Sequence, residues 1–337
     1  MNRRSDSIMI GLGAALLLAL SAPAGAQEEA AASREAQIAQ VQAAIKANGA
    51  KWVAGETTLS RLSGDEWGLR VGLSLEPIDA PPMPVRMTEA LPARIDWRDH
   101  NGSYVTGIRD QKTCGSCWAF AMTGALESNV LLARHEPGKD LDLAEQVLVS
   151  CSWVGSCKGG LLIPHFLKTK GLPPESDYPY SASDGSCASA APGWKDRAVR
   201  IGSWGLVSRK LAALKAALVQ YGPLPTAFMV HEDFMHYKSG VYSYVSGKKL
   251  GGHAVLLVGY DDAEKCFIVK NSWGPGWGEA GFFRIAYSEM ETAVGFGKMT
   301  VAYKSPQARK AEVLSWGPTV DAGAKLEALE PLLQGKP

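Results

Sequence analysis

No sign of charge dominates the 337 residues: Lys and Arg number 35, Asp and Glu 34, for a net charge of +1. So even a balance argues against a polyanion-binding protein, and no basic run or nucleic-acid motif restores that reading. A bilayer-spanning helix is lacking as well. The apolar centre near the N-terminus, Ile8–Leu20, has 13 residues, where a span needs about 20. Cysteine is scarce, at six, and its pattern disfavours zinc: Cys114 and Cys117 form one Cys-x2-Cys with no second such pair and no matching histidine pair. No metal or cofactor is expected. The six thiols are open to three disulfides or to a mixture that includes reactive cysteines.

The chain divides into unlike stretches. Residues 1–26 read as a secretory signal peptide, with Arg3 and Arg4, then Ile8–Leu20, then the small residues Ala24-Gly25-Ala26 before Gln27. That places the protein in a secreted or periplasmic setting, where disulfides persist, with no stable membrane span after cleavage. From Glu28 to Lys46 the spacing of Ile38, Val41 and Ile45 predicts one amphipathic helix ending near Asn48-Gly49. Pro77, Pro81, Pro82 and Pro84 then suggest an exposed linker. Beyond about residue 100 the pattern is helical, with predicted helices from Cys117 and over Leu143–Cys151. After about residue 200 it turns to short apolar strands: 225–230, 253–259, 266–270 and 281–287, preceded by a helix that Ser208 could cap. A helical half followed by a strand-rich half is an α+β pattern. Residues 305–337 carry four prolines and a polar composition, expected of an extension outside the core.

The chemistry centres on Gln111–Phe120. Cys117 opens a predicted helix that His135, Pro137 and Gly138 stop, so it stands where unpaired N–H groups and the helix dipole favour an anion. On that ground alone its thiol should be acidic and substantially thiolate, the reactive form. Cys114-Gly115-Ser116-Cys117-Trp118 is followed 136 residues on by His253 and 154 residues on by Asn271, in Asn271-Ser272-Trp273-Gly274. With these pieces at this spacing, the chain resembles the papain family of cysteine proteases, whose Cys motif is followed by His and Asn roughly 130 to 150 residues later. The start at Leu91-Pro92-Ala93-Arg94 and the glycine pair after Cys157 extend the resemblance to about Lys304.

That resemblance implies a papain-like two-lobe fold over 89–304, with a helical lobe (about 100–199), a β-barrel-like lobe (about 200–304) and a cleft between them. It implies Cys117 as nucleophile, His253 as its base, Asn271 as the group that orients the imidazole, and Gln111 with the Cys117 N–H as oxyanion donors. Trp273 would shield the His253–Asn271 hydrogen bond. Gly159 and Gly160 would meet the main chain of an extended substrate, and Leu162, Ala227, Gly251 and Met299 would line the subsite for the side chain two residues before the cut. The implied disulfides are Cys114–Cys157 and Cys151–Cys187, leaving Cys266 as a buried free thiol. Glu145 and Gln146 are read as ties between helix and domain, not as an acid/base pair.

Residues 27–88 would be the propeptide and linker. Trp52-Val53-Ala54-Gly55 and the stretches around Phe234 and Gly251 look closest to the cathepsin B branch. In that branch the prosegment lies backwards in the cleft and keeps the enzyme latent. The branch's histidine-bearing occluding loop has no counterpart, since no histidine occurs between His165 and His231. An endopeptidase acting on protein or peptide substrates, as a monomer, is the function implied. The competing readings are a non-catalytic peptide binder, which should have lost one of Cys117, His253 and Gln111, and a thiol acyltransferase, whose motifs lack the Asn-Ser-Trp-Gly and Gly-Gly pieces.

Overall fold

The computed structural model describes residues 24–87 and 90–305. The expected signal peptide lies almost wholly outside the described residues, as does the expected extension after Ser305. Helix α1 (Ala24–Asn48) leads into strand β1 (Lys51–Ala54) and a short helix α2 (Gly64–Gly68). A reciprocal Ser63–Glu66 capping box starts α2. After β2 (Arg94–Asp96) comes the central helix α3 (Cys117–Arg134), then α4 (Glu145–Cys151). Strands β3 (Gly155–Ser156) and β4 (Gly159–Gly160) form a small antiparallel pair. Helices α5 (His165–Thr169) and α6 (Trp194–Arg197) complete the helical half.

The strand-rich half holds β5 (Ser203–Leu206), helix α7 (Leu211–Tyr221), β6 (Leu224–His231), β7 (Tyr237–Tyr242) and β8 (Lys249–Asp261). It ends with β9 (Cys266–Lys270), β10 (Phe282–Ala286) and β11 (Val301–Lys304). Seven strands make one sheet in the order β1-β7-β10-β9-β8-β2, with β6 also paired to β8. The architecture is the expected α+β arrangement. Strands β6, β8 and β9 are buried nearly throughout, which suits their Val, Leu, Ile and Phe content rather than an alternating pattern. Phe228, Phe234, Trp273, Trp277 and Phe283 meet mostly edge to face inside this half, the geometry aromatic quadrupoles favour.

Helix α3 is long because seventeen residues after Cys117 pass without Pro. It stops at His135, a left-handed C-cap with φ 54° whose N–H closes on the Leu132 carbonyl. Fifteen of its eighteen residues are buried, so it is a core helix whose N-terminus is fixed from all sides. The predicted capping role of Ser208 is not seen: α7 is entered through Lys210 in extended conformation, without a side-chain cap. The expected disulfides are both present, Cys114–Cys157 and Cys151–Cys187, and Cys117 and Cys266 are free and buried.

The N-terminal stretch is not an appendage. Strand β1 adds to the edge of the large sheet, antiparallel to β7, and the Thr57 hydroxyl donates to the Met235 carbonyl at 2.8 Å. The prolines of the linker are exposed, as its composition suggests, but its backbone is tied to the strand-rich half. Proline has no N–H to donate but keeps a carbonyl that can accept. The Leu206 N–H takes the Pro81 carbonyl at 2.8 Å, Met83 donates back to Leu206 at 2.7 Å, and Tyr221 donates to the Pro84 carbonyl.

Candidate active site

Three elements converge on the sulfur. Helix α3 begins at Cys117 itself. Strand β8 supplies His253, and the next residue, Ala254, donates its N–H to Cys117 Sγ at 3.5 Å. The turn after β9 supplies Asn271, whose Oδ1 lies 2.8 Å from His253 Nε2. Because Asn271 Oδ1 also accepts the Ser272 N–H at 2.8 Å, the asparagine presents oxygen to the ring. His253 Nε2 then carries the hydrogen, which leaves Nδ1 with its lone pair. That Nδ1 is buried and has no hydrogen-bond partner. Trp273 stacks on the imidazole with ring centroids 4.6 Å apart and 28° between planes, and Phe228 meets it edge on at 5.8 Å.

Gln111 is brought to the same place by pairing with the turn after β9, its N–H donating to the Ser272 carbonyl at 2.9 Å. The Ser272 hydroxyl donates to Gln111 Oε1 at 2.7 Å, so the amide's Nε2 faces the other way. It donates to the Cys114 carbonyl at 2.9 Å and to the Arg70 carbonyl at 3.2 Å.

The cleft is occupied by residues 70–74 of the N-terminal stretch. The Arg70 carbonyl takes both Gln111 Nε2 and Trp273 Nε1, the latter at 3.1 Å. Gly72 donates to the Gly252 carbonyl at 3.0 Å and accepts the Gly160 N–H at 2.8 Å, and Ser74 donates to the Gly160 carbonyl at 3.0 Å. Leu73 and Gly160 form a parallel bridge. The approach is closest at glycines: a Cβ on Gly72 would lie 2.5 Å from the Gly115 carbonyl oxygen, and one on Gly159 would lie 2.5 Å from the Gly72 carbonyl oxygen. On the Gly160 side a Cβ would strike the Trp118 ring at 2.6 Å.

Burial under this segment reverses the acidity expected of the thiol. It pushes Cys117 up to about 12, although the N–H groups of Ala254, Trp118, Gly72 and Cys117 each pull the other way. Burial likewise holds His253 down to about 4, with the Asn271 hydrogen bond opposing. The helix N-terminus is there, but removal from water outweighs it. In the covered site burial thus favours the neutral form of both groups.

The remaining predicted residues sort as follows. Gly251 lies against the Val71 side chain, where a Cβ would come within 2.8 Å of Val71 Cγ2. Ala227 exchanges backbone hydrogen bonds with Lys298, at 2.9 and 3.1 Å, which brings Met299 beside it, in left-handed conformation with φ 51°. Leu162 and Ala227 are fully buried. Gln146 is a tie as read, since its amide holds Ser181 and Ser183. Glu145 is fully buried and its carboxyl is raised, first by burial and then by Glu127. His231 and His236, which belong to no motif, are buried. Among the described residues no cluster suits a metal ion. Sequence reasoning expected the 27–88 stretch to lie backwards in the cleft but did not single out Arg70–Ser74 within it; the glycine at 72 between two apolar residues was the available signal.

Comparison with known proteins agrees with this geometry. The family profile described as "Papain family cysteine protease" matches residues 91–303. Pro-cathepsin H of Mus musculus is 42% identical over 215 residues, 60% of this chain and 62% of that protein, so the match spans under two thirds of that relative. Probable cysteine protease RD19B of Arabidopsis thaliana is 38% identical over 263 residues, 68% of this chain and 69% of its own. Among solved structures, the digestive procathepsin L2 proteinase from Tenebrio molitor larval midgut superposes with a TM-score of 0.73 at 26% identity, covering 84% of this chain and 95% of that one.

Proposed function

The chain belongs to the papain family of cysteine proteases, and from that premise we propose that it is the precursor of a secreted or periplasmic cysteine endopeptidase, held latent by residues 27–88. The single observation that carries the reading is the joint geometry at Cys117: a histidine strand whose next N–H reaches Sγ, an asparagine on the imidazole, and a chain segment lying across all three.

In the proposed mechanism, departure of the segment readmits water and the thiol proton passes to His253 Nδ1, giving a thiolate and an imidazolium. The sulfur attacks the scissile carbonyl carbon. Gln111 Nε2 and the Cys117 N–H donate to the oxygen as it becomes an oxyanion. The C–N bond then breaks, and the leaving amine takes the imidazolium proton. A water, deprotonated by the same imidazole, attacks the thioester, and the acid product leaves with Cys117 restored. Asn271 keeps the ring in the Nε2–H tautomer throughout, which an amide does without adding a negative charge.

Gly160, with Gly159 beside it, is assigned the substrate's main chain. Leu162, Ala227, Gly251 and Met299 are assigned the side chain two residues before the cut; all four are apolar or small, so an apolar residue is preferred there. With no histidine between His165 and His231 to build an occluding loop, internal cleavage is the assigned mode. The test is to mature the purified precursor and treat it with an epoxide thiol inhibitor. Activity on a fluorogenic peptide should vanish as Cys117 alone is modified, read by peptide mass mapping. Activity that persists in the Cys117→Ala variant sinks the reading.

A further inference from the structure

Arg70 stands two residues before Gly72, on the side of Cys117 away from Gly160, and its side chain is paired as well as its carbonyl. Arg70 Nη1 lies 2.6 Å from Asp110 Oδ1, with the Arg70 side chain only 10% exposed and that of Asp110 40% exposed. Asp110 does not depend on Arg70 for its place. Its backbone bridges Trp273 in antiparallel fashion, the Gly274 N–H takes the neighbouring Arg109 carbonyl at 3.1 Å, and Asp110 Oδ1 accepts the Lys112 N–H at 2.8 Å. Gly274 leaves the carboxylate room, since a Cβ there would lie 3.3 Å from Asp110 Oδ2. The carboxylate is thus fixed on a ladder beside Gln111 and Trp273, ready before anything binds.

We propose that Asp110 forms a recognition subsite for a basic side chain on the leaving-group side of the cut, so that the matured enzyme favours arginine or lysine one or two residues after the scissile bond. The inference rests on the endopeptidase reading above. The direction follows from the occupant. Residues 70–74 pass from Gln111 and Trp273, over Cys117, to Gly160. Gly160 is where the acyl part of a substrate pairs in that reading, so the Gln111–Trp273 end receives the leaving part. The reversed occupant has found, from the far side, the cation site a substrate would use. The Arg70 Nε is buried without a partner, so the Asp110 carboxylate is the charge complement this side chain is given there. A guanidinium fits a carboxylate better than an ammonium does, so arginine should exceed lysine.

The test uses enzyme matured from the full chain and internally quenched peptides identical but for Arg, Lys, Leu or Glu at the first or second residue after the cut. At one of these two positions, kcat/KM for Arg should exceed that for Leu by about fivefold, the discrimination of a partly exposed ion pair. The Arg-to-Leu ratio should fall to about one in Asp110→Asn, and Asp110→Lys should favour Glu. Ratios are compared because general damage to the site lowers every peptide alike. Equal rates for Arg and Leu in the wild-type enzyme, or a preference that survives in Asp110→Asn, overturn the subsite alone. Failure of the wild-type enzyme to cut any peptide overturns the endopeptidase reading and the subsite with it.

Discussion

Replacing Gly72 with alanine adds one methyl group where the covered cleft has no room. The new Cβ would lie 2.5 Å from the Gly115 carbonyl oxygen, 2.8 Å from its Cα and 2.9 Å from its carbonyl carbon. All three are backbone atoms, and they cannot retreat easily. Gly115 follows Cys114, which is bonded to Cys157, and the Gly115 N–H is held by the Cys157 carbonyl at 2.8 Å. Gly72 is not in the left-handed region, so the backbone itself tolerates alanine and the whole cost is contact. Overpacking of this kind costs about 1–3 kcal/mol, which corresponds to a hold roughly 5- to 150-fold weaker. The assay is alkylation by iodoacetamide of the unprocessed precursor, followed by peptide mass mapping of Cys117 and Cys266. Both thiols are buried, but only Cys117 lies under the segment, so Cys266 is the internal standard. Cys117 should label about that much faster in Gly72→Ala while Cys266 stays slow. Equal labelling of Cys117 in the two proteins, or acceleration of both thiols together, would refute the reasoning.

Acid should loosen the same segment through His236, whose imidazole meets Trp67 edge on at 5.7 Å and is held down to about 4 by burial, with Glu232 opposing. A folded value below the free value of about 6.5 means the docked form favours the neutral ring. Docking is therefore at full strength above pH 6.5 and is lost as pH falls toward 4; hydrogen exchange of the Lys51–Ala54 amides should rise in that window, and less so in His236→Phe. Gln111→Ala should lower kcat of the matured enzyme by about a hundred- to a thousandfold, the cost of one oxyanion donor, read in steady-state kinetics; a loss under tenfold excludes that role. Lys270, whose Nζ donates to Thr106 Oγ1 at 3.0 Å, is the cation buried beside Glu127 and Glu145. Lys270→Met should destabilise the protein by about 3–5 kcal/mol, the cost of stranding a buried charge, measured by denaturant unfolding.

That Cys117, His253, Asn271 and Gln111 would be brought together was legible in the sequence because the expected chemistry ties specific side chains to specific spacings. The α+β order was legible because helical and strand patterns fall in separate halves. What occupies the cleft was legible only as the 27–88 stretch, not as the particular residues 70–74. The contacts of Gly72, Ser74, Gly160 and Gly252 are between backbone groups, which leave no side-chain signature, and the one informative feature is a glycine. The Arg70–Asp110 pair spans forty residues and belongs to no motif. The acidity of Cys117 was misjudged for a related reason: a helix N-terminus can be read from sequence, but the burial that outweighs it comes from a distant segment. Trp52-Val53-Ala54-Gly55 was legible as a prosegment-like stretch, but its pairing as a strand depends on the edge that β7 offers.

The proposed latency has two separable physical parts, and the direction of the segment explains how one strand would supply both. An extended chain offers N–H and C=O groups at nearly the same intervals read either way, so a reversed strand can satisfy Gly160, Gly252, Gln111 and Trp273. The Gly72 N–H is near enough to Cys117 to favour its thiolate, while it donates to the Gly252 carbonyl. The same strand excludes water, and with it the solvation a thiolate and an imidazolium require; Cys117 and His253 are displaced in opposite directions, so proton transfer between them is opposed from both ends. Steric cover alone would leave a reactive thiolate that a small reagent could find. Desolvation alone would leave a cleft open to peptides. A perturbation that admits water without moving Gly72 should therefore raise alkylation of Cys117 and leave peptide hydrolysis at its latent level, and the two readouts, taken on one precursor, separate the parts.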